Sequence, residues 1–101
     1  MTSKNLDDLR KTIDRIDDQM MLLLSERFKV TQLIGNIKAT AGMVSTATER
    51  EAEQFQRLEA LAIQNAVPKT LIKKIFRLIM DEVVANHNRI KDEMDSQGWN
   101  N

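Results

Sequence analysis

Residues 6–37 read LDDLRKTIDRIDDQMMLLLSERFKVTQLIGNI. Along them Leu6, Leu9, Ile13, Ile16, Met20, Leu23, Arg27, Val30, Ile34 and Ile37 follow in alternating steps of three and four. That rhythm lays all ten side chains on one stripe of a single long helix. Arg27 is the one strongly charged residue on the stripe. A guanidinium in an apolar seam costs on the order of several kcal/mol unless an anionic group meets it. The alternatives are that Arg27 snorkels to water or fixes the register of a helical oligomer.

The helix that carries this stripe is predicted to start at Asn5, whose side chain can cap the first turn. Asp7 and Asp8 follow at the positive end of the helix dipole. Gly42 tolerates the left-handed conformation that ends helices, which places the last turn near Thr40. Some 33 residues at 1.5 Å each span about 50 Å. A compact domain of this size has a radius of gyration of only about 13 Å. The rest of the chain is too short to sheath both ends of such a rod, and a second chain is expected to do so.

Met43 to Ala47 reads as a loop. Thr48-Glu49-Arg50-Glu51 is a capping box, with the Thr48 hydroxyl serving the Glu51 amide and the Glu51 carboxylate able to reach back. The second helix then carries Ala52, Phe55, Leu58 and Ala62 on one face and fades near Asn65. Pro68 is placed in the first turn of a third helix, where Ile72, Ile75, Phe76, Ile79, Val83, His87, Ile90 and Met94 recur at helical spacing. The expectation is an all-α single domain of three helices over residues 1–101, with its core at 5–95 and a frayed tail at 96–101.

Composition narrows the chemistry. The 101 residues hold 15 basic and 15 acidic side chains, so no global field points to nucleic acid or a membrane surface. No cysteine is present, which removes disulfides, thiolate metal sites and a cysteine nucleophile. One histidine does not make a metal site. No apolar run approaches the roughly 18 residues that span a bilayer, and residues 1–5 lack the apolar stretch of a secretion signal. A cytoplasmic protein with no metal and no cofactor is expected.

Four charged or titratable residues sit on or beside the apolar faces: Arg27, Arg10, Lys38 and His87. Each has an ordinary reading as a solvated charge or a satisfied core-edge histidine. Arg10 and Lys38 lie about 42 Å apart on one helix and share no small ligand within a chain. Two such helices paired antiparallel about residue 21 bring Arg10 of one chain opposite residue 32 of the other, between that chain's Arg27 and Lys38. Two symmetric pockets result, each with three cations from two chains. Three converging cations suit a ligand with more than one carboxylate.

These residues resemble the all-helical (AroQ-type) chorismate mutase family over roughly residues 6 to 94. The resemblance rests on Leu9-Arg10-x-x-Ile13-Asp14-x-Ile16-Asp17 and Leu23-Leu24-x-Glu26-Arg27. Ile34-Gly35-x-Ile37-Lys38 and Glu49-Arg50-Glu51 follow, and then Phe76-x-x-Ile79-Met80 with His87 eleven residues past the phenylalanine. It implies an intertwined antiparallel homodimer of three-helix chains with two composite active sites. By position, Arg27, together with Arg10 from the second chain, would grip the two carboxylates of chorismate. Lys38 would reach the ether oxygen and a neighbouring carboxylate, and Arg50 would add positive potential. Glu51 would accept the ring hydroxyl, and Ile34, Ala47 and Val83 would complete the binding surface.

Three positions depart from the family pattern. Ala47 stands where some members carry Asp, and Val83 replaces a small polar residue. His87 falls where relatives carry Gln or Glu as the second donor to the ether oxygen. An imidazolium donates more strongly than a neutral imidazole, so turnover is expected to decline as pH rises.

The implied activity is the Claisen rearrangement of chorismate to prephenate in phenylalanine and tyrosine synthesis. The expected form is a stand-alone enzyme whose feedback control would need a separate regulatory partner protein. An isochorismate-pyruvate lyase or an amino-deoxychorismate mutase on the same scaffold is a second reading. A non-catalytic helical dimerisation module is a third.

Overall fold

The computed structural model describes residues 5–43 and 48–96. They form three helices, α1 (Leu6–Thr40), α2 (Thr48–Gln64) and α3 (Lys69–Ser96), and no strand occurs among the described residues. The all-α, three-helix expectation holds. The chain divides into two compact units at Thr31, and α1 contributes to both.

The ends of α1 are set locally. The Asp8 amide donates to Asn5 Oδ1 at 2.8 Å, the predicted N-cap. At the other end Gly42 takes φ 69°. The Met43 amide donates to the Lys38 carbonyl at 2.8 Å, and the Gly42 amide donates to the Ala39 carbonyl at 3.2 Å. This six-to-one and five-to-two pair is a Schellman motif, which satisfies carbonyls that would otherwise end the helix unpaired.

The same motif ends α2, with Ala66 in place of glycine. Ala66 has φ 55°, the Val67 amide donates to the Ala62 carbonyl at 2.9 Å, and the Ala66 amide donates to the Ile63 carbonyl at 3.3 Å. Pro68 sits one position earlier than predicted. It lies just before α3, and its carbonyl accepts the first helical bond, from the Ile72 amide at 3.2 Å. Helix α3 runs one residue into the predicted tail, where the Ser96 hydroxyl bonds back to the Glu93 carbonyl at 3.1 Å. The rest of that tail lies outside the described residues.

In the unit from Gln32 onward, α2 packs on α3. Ala62, Met80, His87 and Ile90 are buried there, while Phe55, Leu58, Ile72, Phe76, Ile79 and Val83 are half-buried. Ala52 and Ile75, predicted on the apolar faces, remain exposed.

Helix α1 is different in kind. Twelve large apolar side chains on it stay exposed, among them Met20, Met21, Leu22 and Leu23 at 61–67%. Full burial of such a side chain is worth roughly 2 kcal/mol relative to full exposure, so this chain leaves a large part of its hydrophobic driving force on α1 unused.

Candidate active site

Lys38 lies in the last turn of α1, half-buried, with its carbonyl fixed by the Met43 amide. A cation at this end of a helix is favoured by the dipole. Among the described residues Lys38 and Arg10 make no ion pair. Arg10 is exposed and Arg27 is half-buried, both on the part of α1 before Thr31. Ile34 is 41% exposed.

His87 reaches α1 through the one helix position with no side chain in the way. It is 4% exposed, and a Cβ added to Gly35 would stand 2.5 Å from its Cδ2 and 2.9 Å from Ile90 Cδ1. Any other residue at position 35 would push the imidazole or the helix outward. One residue before the histidine, Asn86 Nδ2 donates to Gln32 Oε1 at 2.6 Å, a second tie between α3 and the end of α1. Val83 lies one turn earlier on α3 and is half-buried.

Glu51, in the first turn of α2, turns its carboxylate toward α3. Arg77 Nη1 donates to Oε1 at 3.2 Å and Nη2 donates to Oε2 at 3.3 Å. The capping box suggested instead that this carboxylate reaches back toward the helix start; the Thr48 side chain lies outside the described residues. Arg77 is held on two further sides. Its Nε donates to Asp81 Oδ1 at 3.0 Å, and its guanidinium carbon stands 5.5 Å from the centre of the Phe55 ring. The hydrogen bonds to Glu51, followed by the charge of that carboxylate and of Asp81, raise the Arg77 pKa above its already high ordinary value.

Arg50, beside Glu51, is exposed and 3.7 Å from Glu53, a loose contact between two solvated groups. Ala47 lies outside the described residues. Among the described residues no cluster of His, Cys, Asp or Glu could hold a metal ion, and no helix is long and apolar enough to cross a membrane.

The structure thus brings Gly35 and His87 together and places a basic residue, Arg77, on Glu51. Sequence reasoning missed Arg77, although it directly follows the quoted Phe76. Its spacing to Asp81 is the only local signal, and its pairing with Glu51 spans 26 positions between two helices. Met80 is buried at 5% although it lay off the predicted stripe of α3.

The family described as chorismate mutase type II matches residues 9–88. The chain is 35% identical over 91 residues to a bifunctional chorismate mutase/prephenate dehydratase of Aquifex aeolicus, covering 87% of this chain and 25% of that protein. It is 31% identical over 84 residues to the T-protein of Haemophilus influenzae, covering 83% of this chain and 22% of that one. A chorismate mutase of Methanocaldococcus jannaschii is 26% identical over 94 residues, with 93% of this chain and 95% of that protein covered. The chain therefore spans about a quarter of the first two relatives and nearly the whole of the third.

Proposed function

Because the chain belongs to the chorismate mutase type II family, we propose that it converts chorismate to prephenate. The observation that carries this reading is the matched span 9–88, within which lie Arg10, Arg27, Lys38, Arg50, Glu51 and His87, the residues to which the site is assigned by resemblance.

The reaction is a unimolecular rearrangement in which one C–O bond breaks as one C–C bond forms. It asks for no nucleophile and no electron carrier. The protein has to hold a chair-like conformer and then stabilise negative charge building on the ether oxygen. Orientation falls to the cations that grip the two carboxylates, Arg27 and Arg10 of a second copy, with Arg50 adding positive potential nearby. Lys38 and His87 are assigned as donors to the ether oxygen, where one preorganised donor in a dry site supplies about 3–4 kcal/mol. Such donors raise the rate only as far as they bind the transition state more tightly than the substrate. Glu51 accepts the ring hydroxyl, and Ile34, Ala47 and Val83 contribute to the binding surface.

The active form in this reading is an antiparallel homodimer. The exposed apolar side chains of α1 support it, since their burial against a second copy would supply the stabilisation that one chain leaves unused. Pairing about Met21 brings Arg10 of one copy to the level of Gln32 of the other, between Arg27 and Lys38.

The test is to incubate the protein separately with chorismate and with isochorismate and to identify products. Prephenate from chorismate supports the reading. Salicylate plus pyruvate from isochorismate, with no prephenate, overturns it in favour of a lyase. Arg27→Ala is expected to lower kcat/KM by about a hundredfold or more, as misplacement of a reacting group does.

A further inference from the structure

A carboxylate that serves a substrate has about four lone-pair sites on its two oxygens. In this chain Arg77 occupies one on each oxygen of Glu51, at 3.2 and 3.3 Å, and leaves one on each for another donor. The planar fork fixes the plane of the carboxylate, as a single ammonium would not. It also changes the electrostatics. A lone carboxylate attracts any cation, whereas a carboxylate paired end-on with a guanidinium presents little net charge to a group arriving at its free side. Hydrogen bonding to a neutral O–H survives that pairing, because it depends on the oxygen lone pairs. Attraction for an ammonium does not, because the positive charge of Arg77 stands just behind.

We infer that Arg77 is a positioning residue that sets specificity: held to Glu51, it makes that carboxylate an acceptor for a ring hydroxyl and a poor partner for a ring ammonium. This rests on the reading of Glu51 as the acceptor for the ring substituent. Asp81 and Phe55 keep the guanidinium in place, from the Nε edge and from the ring side. Asp81 is 61% exposed, so its charge is screened by solvent and salt and weighs little on the substrate side.

The experiment compares chorismate with its amino-deoxy analogue, whose ring carries an ammonium in place of the hydroxyl. kcat/KM is measured for each, or the inhibition constant of the analogue where it is not turned over. Arg77→Gln is expected to shrink the preference for the hydroxyl compound by roughly tenfold, a reduced effect for a half-exposed charge. Arg77→Lys, which keeps the charge and loses the fork, is expected to retain the preference while raising KM for chorismate several-fold. Asp81→Asn, which removes the charge of another ion pair of the same arginine but keeps an oxygen to accept from Nε, is expected to leave the preference unchanged, so a merely structural role is separated from this one. Glu51→Gln is the reference. If it lowers chorismate efficiency while Arg77→Gln leaves the preference within about twofold of wild type, the inference on Arg77 is wrong and the role of Glu51 stands. If Arg77→Gln does not fold, loss of the preference in Arg77→Lys overturns the inference equally. If Glu51→Gln matches wild type on chorismate, the reading of Glu51 itself fails, and this inference with it.

Discussion

The two terminal nitrogens of Arg77 on α3 lie 3.2 and 3.3 Å from the two carboxylate oxygens of Glu51 in the first turn of α2. This bidentate pair bridges the two helices 26 residues apart in sequence. The Glu51 side chain is 22% exposed and that of Arg77 43%. Its net worth to stability is therefore that of a partly solvated pair. A double-mutant cycle of Glu51→Gln and Arg77→Gln, read by denaturant unfolding, should give a coupling energy of about 0.5–1 kcal/mol. Additive single effects would mean that the pair contributes nothing beyond its parts.

Gly35 offers a test in which two physical effects oppose each other. Replacing a mid-helix glycine by alanine ordinarily stabilises by about 0.5–1 kcal/mol. Here the new methyl would meet His87 Cδ2 at 2.5 Å and Ile90 Cδ1 at 2.9 Å. Overpacking of that kind costs about 1–3 kcal/mol, and it should win. Gly35→Ala is expected to lower the melting temperature and to reduce turnover by displacing the imidazole. A raised melting temperature would show that the contact relaxes freely.

Ala66 predicts a gain of stability. An L-residue in the left-handed region costs about 1–2 kcal/mol, and glycine returns about 0.5–1 kcal/mol of that as extra freedom in the unfolded chain. Ala66→Gly should therefore stabilise by about 0.5–1 kcal/mol, a rise of a few degrees in melting temperature. The φ of 55° and the two closing bonds to Ala62 and Ile63 are the grounds for expecting it.

A pH effect on stability follows from the ion pair of Lys73 with Glu59. The hydrogen bond from Lys73 holds the Glu59 carboxyl below its ordinary value of 4.5 against the opposing effect of burial, with the charges of Lys73 and Lys69 adding less. A depressed carboxyl stabilises the folded chain above the unfolded value, and that stabilisation is lost as pH falls through the lower folded value. The contribution is small because the group is solvated, and salt should weaken it. Melting temperatures of wild type and Lys73→Met should differ at neutral pH and converge in acid. A difference that persists unchanged into acid would contradict the pairing.

The contrast between what the residues foretold and what folding added has a physical cause. The start of α1 at Asn5 and its end at Gly42 were legible, because a cap is a transaction between neighbours in sequence. The end of α2 was blurred because Ala66 gives no compositional sign of the conformation it adopts. The spacing of Leu6 through Ile37 showed an apolar stripe, and α1 carries it. For the candidate site, sequence named Glu51 and His87, but the capping box pointed the Glu51 carboxylate back to its own helix start and nothing pointed His87 at Gly35. Arg77 and Gly35 meet them only once α3 is laid beside α2 and the end of α1, and nothing local encodes those meetings.

In the proposed homodimer, covering the bare apolar side chains of α1 ties this chain's stability to how much of it is present. A second copy covering Met20 to Leu23 would bind the folded form and not the unfolded one, so mass action should make resistance to heat climb with protein concentration. Dilution, rather than temperature alone, then becomes a way to take the molecule apart.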